Sequence, residues 1–327
     1  MTPAIKKALT PFSLDELKQE LLARGASGHA RIAAVMAFAQ RDLGGNASLA
    51  PFHSKDLSDA LRERQKVVYG VDDRKDLYQV DDTAIVHNAE GVTCLFRTSG
   101  VRDNGDGTST LQVGVFGQVN SLCPGEPFFN QPVGAFCTGF LVAPDVIATA
   151  GHCVNEANAT TVRFVFGFRM VDASTPQVRI PNRDIYAGKE VIARKLAQED
   201  TDWCLVRLDR PVDDRKILAL RRSGKVADHE DVYVIGHPSG LPAKFADGAQ
   251  IRTNTQGAFF TANLDTYGGN SGSPVFNNVS HEVEGILVRG ATDFVPVGMC
   301  MVSAVCPVNG CQGEDCTRVT EFTELLT

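Results

Sequence analysis

The chain has 327 residues, of which 43% are hydrophobic and 22% charged, so it can bury a core and is not disordered over most of its length. Its 32 basic and 39 acidic residues leave a net charge of −7, the wrong sign for unaided nucleic-acid binding. No apolar stretch approaches the ~20 residues of a membrane-spanning helix. The length predicts about two domains. We therefore expect partners that are neither nucleic acid nor membrane.

The first 66 residues differ from the rest in charge and cysteine content. Residues 1–66 carry +3 and no cysteine, whereas residues 67–327 carry −10 and all nine cysteines. Ser13 and Glu16 form a capping-box pattern, and the leucines that follow recur at helical spacing. The apolar run 32–39 ends like a signal-peptidase site, but the long, partly acidic stretch before it favours an amphipathic helix. We predict a helical segment over residues 1–66.

A basic cluster at residues 62–66 precedes a small apolar run at residues 67–70. Such a junction is typical of a site that a processing protease cuts, and it equally fits the solvated end of a helix. Both interpretations stay open at this point. Either one places a boundary between a head, residues 1–66, and a body, residues 67–327.

The body has the pattern of a β protein. From Asp82 onward, short β-rich runs alternate with turn residues. Residues 103–107 resemble a calcium loop, but Gly114 stands where the twelfth position needs Glu, which favours a hairpin turn. Many short strands without regular helical crossovers predict closed barrels or a sandwich. The predicted strands are residues 92–97, 110–116, 161–168, 202–208, 232–235, 273–276 and 283–289.

Two histidines stand out as candidates for a general base. His152 lies in the run Thr-Ala-Gly-His-Cys, which follows an apolar strand at residues 140–142. His237 lies in Gly-His-Pro, where a turn at a strand end explains it without catalysis. The cysteines around His152 make it the stronger candidate, because a bridge beside it would hold it in place.

A serine and an aspartate complete the candidate set. Ser271 lies in Gly-Gly-Asn-Ser-Gly-Ser-Pro, where glycines allow a tight turn that aims N–H groups at a developing oxyanion. Asp202 opens an apolar strand, where a buried carboxylate can fix the tautomer of an imidazole. Asp200 is the alternative, but it lies in a polar approach to that strand.

In the order His152, Asp202, Ser271, these motifs resemble those of trypsin/chymotrypsin-like serine peptidases. Their residue sequences are most similar to those of the bacterial branch that includes the glutamyl endopeptidases. The resemblance covers residues 67–318. It implies an all-β fold of two packed six-stranded antiparallel barrels, with the active site in the cleft between them. It also implies a Ser271 nucleophile, a His152 base oriented by Asp202, and an oxyanion hole made by the N–H groups of Gly269 and Ser271.

The resemblance further implies a set of substrate-binding positions and one disulfide. Substrate would meet Asp265, Thr266, Leu287 and Gly290, and Cys137 would pair with Cys153. Asp265 stands six residues before Ser271, where Asp makes trypsin select Lys or Arg. Leu287 replaces the histidine with which glutamyl endopeptidases face a substrate carboxylate. Cleavage after basic residues and cleavage after small or apolar residues both remain open, and Arg289 is a candidate to neutralise Asp265.

The resemblance is imperfect just before the nucleophile. Animal-type members carry an Asp there that pairs with the N-terminus freed on activation, whereas this chain has Asn270. A neutral amide cannot form that ion pair. Removal of the head would therefore act by another route, by unblocking the cleft or by completing it.

The remaining cysteines leave their pairing open. Cys204, inside the strand that begins at Asp202, is expected to be buried and unpaired. The other six allow fifteen pairings, and disulfides are favoured over a metal site at residues 306–316 because no histidine accompanies those cysteines. These six are Cys94, Cys123, Cys300, Cys306, Cys311 and Cys316.

Three hypotheses follow from the sequence. The leading one is a secreted or periplasmic serine endopeptidase that acts on protein or peptide substrates without cofactor or metal, with residues 1–66 as pro-segment and possible intramolecular inhibitor. The opposite charges of head and body fit that inhibition. The second is an intracellular effector peptidase with a helical adaptor domain. The third is a binding module of the same fold with an unused triad.

Overall fold

The computed structural model describes residues 72–197, 201–289, 294–304 and 313–326. The helices predicted in residues 1–66 and the junction at 62–70 lie outside them. The strands, numbered in chain order, are β1 Lys75–Asp76, β2 Val92–Arg97, β3 Val101–Asp103, β4 Thr108–Leu111, β5 Gly114–Val115, β6 Pro132–Val133, β7 Cys137–Ala143, β8 Val146–Thr149, β9 Val162–Val165, β10 Arg179–Pro181, β11 Ile185–Leu196, β12 Asp202–Leu208, β13 Asp231–Gly236, β14 Lys244–Thr253, β15 Phe259–Ala262, β16 Pro274–Asn277, β17 Val283–Arg289, β18 Phe294–Val297, β19 Cys300–Ser303 and β20 Glu314–Arg318.

Helices are few and short in the described residues. They are α1 Thr83–Ala89, α2 Phe116–Val119 and the 3₁₀ turns Leu77–Gln79, Thr98–Gly100, Ala159–Thr161, Asn182–Asp184, Pro238–Gly240, Val319–Glu321 and Thr323–Leu326. Among the described residues, no helix has the length and apolar character needed to span a membrane. The chain forms two compact units. The larger comprises the described parts of residues 72–114, 131–291 and 311–327, and the smaller, among described residues, those of 115–130 and 292–310.

The first barrel closes in the order β11-β12-β8-β7-β2-β9, and all neighbouring strands are antiparallel. Strands β7 and β12 are buried along nearly their whole length, in keeping with their continuous apolar sequence. Because β12 runs antiparallel to β8, with Cys204 opposite Thr149, the start of β12 lies beside the chain that leaves β8. This register brings Asp202 to the segment that carries His152.

The second barrel is a ring of β13, β14, β15, β20, β17 and β16, again antiparallel throughout. The long strand β14 closes the ring, since it pairs with β13 along its first part and with β15 at its end. Strand β1 adds to the free side of β14. Ser271 lies in the connection between β15 and β16. The two closed barrels confirm the predicted all-β, trypsin-like fold.

The two barrels share one apolar cluster. It includes Leu141 and Phe164 from the first barrel and Tyr233 and Phe276 from the second. The rings of Tyr233 and Phe276 stack with centroids 4.8 Å apart and 10° between their planes. Burial of such aromatic side chains contributes roughly 2–3 kcal/mol each. The shared core holds the barrels against each other, so residues of both can form one site.

Three of the predicted strands have the observed bounds, and two end early. The matching strands are Val92–Arg97, Asp202–Leu208 and Val283–Arg289. The strand predicted at 161–168 stops at Val165, because Gly167 adopts a φ of +86° that extended strands do not tolerate. The strand predicted at 110–116 breaks after Leu111, and the helix α2 begins at Phe116.

The turn at residues 103–107 joins β3 and β4 as a hairpin, as predicted. Its carboxylates cap the turn. Asp103 Oδ1 accepts a hydrogen bond from the N–H of Gly105, and Asp106 Oδ1 accepts one from the N–H of Thr108. The N–H of Gly105 lowers the pKa of the Asp103 carboxyl, and the hydroxyl of Thr108, followed by its N–H, lowers the pKa of the Asp106 carboxyl. The acidic residues of this run are therefore explained by turn chemistry.

The cysteines only partly follow the prediction. The disulfide Cys137–Cys153 is formed, and in the smaller unit Cys123 pairs with Cys300, the first residue of β19. Cys204 is buried and free as expected. The expectation that Cys94 and Cys316 belong to disulfides is wrong, because each is buried in a barrel wall and carries a free thiol. Cys306 and Cys311 lie outside the described residues.

Candidate active site

His152 and Asp202 form a close pair at one end of the first barrel. The imidazole Nδ1 lies 2.6 Å from Asp202 Oδ2, and the backbone N–H of His152 donates to Asp202 Oδ1 at 3.1 Å. The imidazole side chain is 38% exposed and the carboxylate only 3%. A buried acceptor on Nδ1 leaves Nε2 as the nitrogen that faces outward and can take a proton.

The local sequence explains how closely these groups approach. Gly151 precedes His152, and a Cβ on it would lie 2.9 Å from Trp203 O and 3.0 Å from Asp202 Oδ1. Only glycine fits there without displacing the carboxylate. Asp202 is fixed in turn by its own N–H, which donates to Thr317 Oγ1 at 3.1 Å. The alternative residue, Asp200, lies outside the described residues.

Ser271 lies in a tight turn that is attached to the first barrel. Its carbonyl oxygen accepts a hydrogen bond from the N–H of Thr138 at 2.9 Å. The next residue, Gly272, has a φ of +92°, and a Cβ on it would lie 2.0 Å from Thr138 O. Glycine is therefore required after the serine. The Ser271 hydroxyl makes no hydrogen bond to any described residue, His152 included.

Two backbone amides near Ser271 are unused. Neither the N–H of Gly269 nor that of Ser271 donates to an acceptor within the part of the chain that the structure describes. Buried or cleft-lining N–H groups are almost always paired in folded proteins. Two unpaired donors beside one serine hydroxyl can bind an oxyanion.

The expected specificity residues are placed as follows. Asp265 and Thr266 are buried at 4% and 8% exposure, and Leu287 at 3%. Asp265 Oδ2 accepts a hydrogen bond from the N–H of Asp73 at 3.2 Å. Arg289, the candidate to neutralise Asp265, forms an ion pair with Asp315 at 3.2 Å. Gly290 lies outside the described residues.

His237, the competing base, has a different environment. It is 2% exposed, its Nδ1 lies 2.9 Å from the carbonyl oxygen of Leu241, and its ring stacks on Phe168. Burial, assisted by the charge of Lys244, lowers the pKa of His237 to about 4 despite that hydrogen bond. An enclosed, neutral imidazole that donates to a backbone carbonyl orients a turn and has no access to substrate.

Sequence patterns did not indicate the residues that hold the loop before Ser271. The guanidinium of Arg74 lies 3.8 Å from the ring centroid of Tyr267 and donates to its hydroxyl at 2.7 Å. Burial by itself would lower the pKa of Arg74, but the interactions with Asp72 and Tyr267 outweigh burial, and the pKa is raised. A run of charges ahead of the first strand gives no signal for such a contact, since its partner lies 193 residues away.

Comparison with known proteins agrees with this geometry. Residues 137–286, just under half of the chain, match the family model of the trypsin-like peptidase domain. The match includes His152, Asp202 and Ser271 and, with the two closed barrels, supports a trypsin-like fold and a protease-type function. No curated protein sequence matches the chain.

Among solved structures, the chain is similar to the Vibrio cholerae VesB protease, with 14% identity, 79% of this chain and 67% of that chain covered, and a TM-score of 0.47. It is also similar to the human heparin binding protein, with 13% identity, 73% and 91% coverage, and a TM-score of 0.47. At these values neither structure carries an argument about function.

Proposed function

We propose that this chain is a serine endopeptidase that hydrolyses peptide bonds through His152, Asp202 and Ser271 by way of an acyl-enzyme. The observation that carries the proposal is the 2.6 Å contact between His152 Nδ1 and Asp202 Oδ2, beside a serine with two unused amides. The match of residues 137–286 to the trypsin-like peptidase domain supports the same reaction class. Assignment to the glutamyl-endopeptidase branch remains a prediction.

The proposed chemistry follows from the tautomer of His152. Asp202 holds the proton on Nδ1, so the lone pair on Nε2 takes the Ser271 proton as Oγ attacks the substrate carbonyl. The N–H groups of Gly269 and Ser271 stabilise the oxyanion, and loss of one such donor costs roughly 3–4 kcal/mol in other enzymes. Nε2 then protonates the departing amine, and water releases the acyl group by the reverse route. The Ser271 hydroxyl turns to Nε2 on substrate binding, because catalytic hydrogen bonds tighten in that complex.

A serine-directed fluorophosphonate probe tests the nucleophile. Two forms are tested, the full chain and the chain without residues 1–66. We expect at least one of them to be labelled and to cleave casein. Labelling and cleavage should vanish in Ser271→Ala and persist in Ser280→Ala, an exposed serine in the turn before β17. Unlabelled wild-type protein in both forms would contradict the proposal and favour the silent binding module.

We further propose cleavage after Lys or Arg. The support is the position of Asp265 six residues before Ser271 and its burial, since a buried carboxylate selects a cationic side chain. Profiling on a mixed peptide library should enrich Lys and Arg before the cut. Asp265→Ser should abolish the enrichment, whereas the exposed control Asp231→Ser should keep it. Enrichment of small or apolar residues by the wild type would overturn this part only.

We also propose that residues 1–66 are a pro-segment and that the protein is secreted or periplasmic. The disulfides Cys123–Cys300 and Cys137–Cys153 support an oxidising destination. Intact mass and N-terminal sequencing of protein from its native source should find a new N-terminus near residue 67 and both disulfides. A full-length chain with every thiol reduced would contradict this proposal and favour the intracellular effector.

A further inference from the structure

The two unused amides are aimed by the carbonyls of their own peptides. A peptide unit is planar, so holding its oxygen also fixes the direction of its N–H. Gly268 O, in the peptide that carries the Gly269 N–H, accepts from the N–H of Ser239 at 2.5 Å. Asn270 O, in the peptide that carries the Ser271 N–H, accepts from the N–H of Ser273 at 2.8 Å. The orientation of both donors is therefore set by neighbours.

Thr138, at the start of β7, holds the same turn from the first barrel. Its N–H donates to Ser271 O at 2.9 Å, and its hydroxyl donates to Gly269 O at 3.2 Å. That hydroxyl also accepts from the N–H of His237 at 3.0 Å. The side chain is fully buried, so water does not replace these bonds when one is lost. Thr138 thus holds Ser271 through its backbone, and its side chain links Gly269 to the turn at residues 237–241.

That turn packs directly against Gly269. A Cβ on Gly269 would lie 2.9 Å from Gly240 N and 3.0 Å from Ser239 N. Ser239 has a φ of +50°, a conformation that is strained for a residue other than glycine and persists only where the surroundings enforce it. Two hydrogen bonds enforce it: His237 Nδ1 donates to Leu241 O at 2.9 Å, and the N–H of Leu241 donates to Pro238 O at 2.9 Å.

We propose that Thr138 and His237 are positioning residues that preorganise the oxyanion hole, Thr138 through Gly269 and Ser271, and His237 through the strained turn that presents the N–H of Ser239. The inference rests on the proposed function. It gives His237 a role in the reaction without contact with substrate. It also explains why a threonine hydroxyl is buried between the barrels with both a donor and an acceptor satisfied.

The first test compares Thr138→Val with Thr138→Ser in whichever form of the protein, with or without residues 1–66, reacts with the fluorophosphonate. Valine keeps the shape and the backbone bond to Ser271 but loses the hydroxyl, so kcat on a peptide amide should fall about 10- to 100-fold with KM nearly unchanged, on the scale of a weakened oxyanion donor. Serine should restore kcat to within about threefold. Thr93→Val, a fully buried threonine of β2, is the matched control and should leave kcat unchanged.

The inhibition constant Ki of a peptide aldehyde distinguishes a positioning role from a merely structural one, because loss of stability alone would leave Ki unchanged. The hemiacetal of the aldehyde places an oxyanion in the hole, so its Ki should rise in Thr138→Val by the same factor as kcat/KM falls. His237→Leu should behave like Thr138→Val, whereas His237→Asn, which retains a donor near the Nδ1 position, should keep most of the activity. If Thr138→Val does not fold, the comparison of His237→Leu with His237→Asn tests the positioning role instead.

The outcomes separate the two proposals. Wild-type protein that neither reacts with a fluorophosphonate nor cleaves a peptide would remove the proposed function itself. An active wild type whose Thr138→Val and His237→Leu variants melt at lower temperature but keep kcat and the aldehyde Ki would overturn the positioning roles alone.

Discussion

At the scale of single residues, the difference in exposure between His152 and Asp202 supports the proposed chemistry. The imidazole is 38% exposed and can meet a substrate, while the carboxylate is 3% exposed and meets only the protein. Asp202 accepts two hydrogen bonds from His152, one from the ring and one from the backbone. A carboxylate held in this way has little freedom, so its main effect is on the tautomer and the direction of the ring.

Replacing Asp202 with asparagine should therefore inactivate without unfolding. The amide would donate to Nδ1, which moves the imidazole proton to Nε2. A protonated Nε2 cannot accept the Ser271 proton. We expect kcat to fall about 10⁴-fold at neutral pH. Steady-state kinetics on a peptide amide measure the effect. Asp184→Asn, another buried carboxylate but paired with Arg215, should keep kcat; an equal loss there would refute the tautomer argument.

At the scale of elements, the segment before and within β1 attaches the start of the described chain to the loop before Ser271. The N–H of Asp73 bonds Asp265, and Arg74 lies against Tyr267. Two residues on, Asp76 forms a buried ion pair with Lys244 of β14. The segment thus connects β14 of the second barrel with the loop that carries the proposed specificity residue.

Removing the guanidinium of Arg74 should destabilise the fold. Arg74→Met removes the hydrogen bonds that the buried guanidinium donates to the Asp72 carboxylate and the Tyr267 hydroxyl, and loss of hydrogen bonds to a charged group costs roughly 1.5–3 kcal/mol. Arg74→Lys keeps the charge but loses the planar stacking and should cost less. Urea denaturation at neutral pH measures both. A change within about 0.5 kcal/mol for Arg74→Met, the usual range of a surface substitution, would contradict the expectation.

At the scale of the whole molecule, the two barrels bury one imidazole completely between their elements. His237 stacks on Phe168 of the first barrel region and lies in the turn after β13 of the second. Its pKa is lowered from 6.5 to about 4 by burial. Because the unfolded chain binds a proton at higher pH than the folded chain does, stability from this site is complete above pH 6.5 and is lost as pH falls towards 4.

Denaturation across this window should expose that linkage. The free energy of unfolding should fall by roughly 3 kcal/mol on acidification because of His237 alone. His237→Asn should flatten the profile between pH 6.5 and 4.5, whereas His87→Gln, at an exposed imidazole of α1, should leave its slope in place. An unchanged slope in His237→Asn would show that other groups govern acid unfolding.

Local patterns made the strands and the catalytic candidates predictable. The strands that begin at Val92, Asp202 and Val283 could be bounded from their apolar runs and flanking turn residues alone. The glycines beside His152 and Ser271 reflect close backbone approaches that no other residue allows. Such a requirement is visible in the adjacent sequence. For the same reason the break at Gly167 could have been anticipated.

By itself, the sequence determined the β class and the candidate catalytic side chains, and the family resemblance implied the Cys137–Cys153 bridge. Only the tertiary structure decided which histidine is enclosed, that Cys94 and Cys316 stay free, and that Thr138, Ser239 and Arg74 hold the loop around Ser271. The physical reason is distance along the chain. Thr138 meets Gly269 across 131 residues and Arg74 meets Tyr267 across 193, and local periodicity carries no information about partners so far apart.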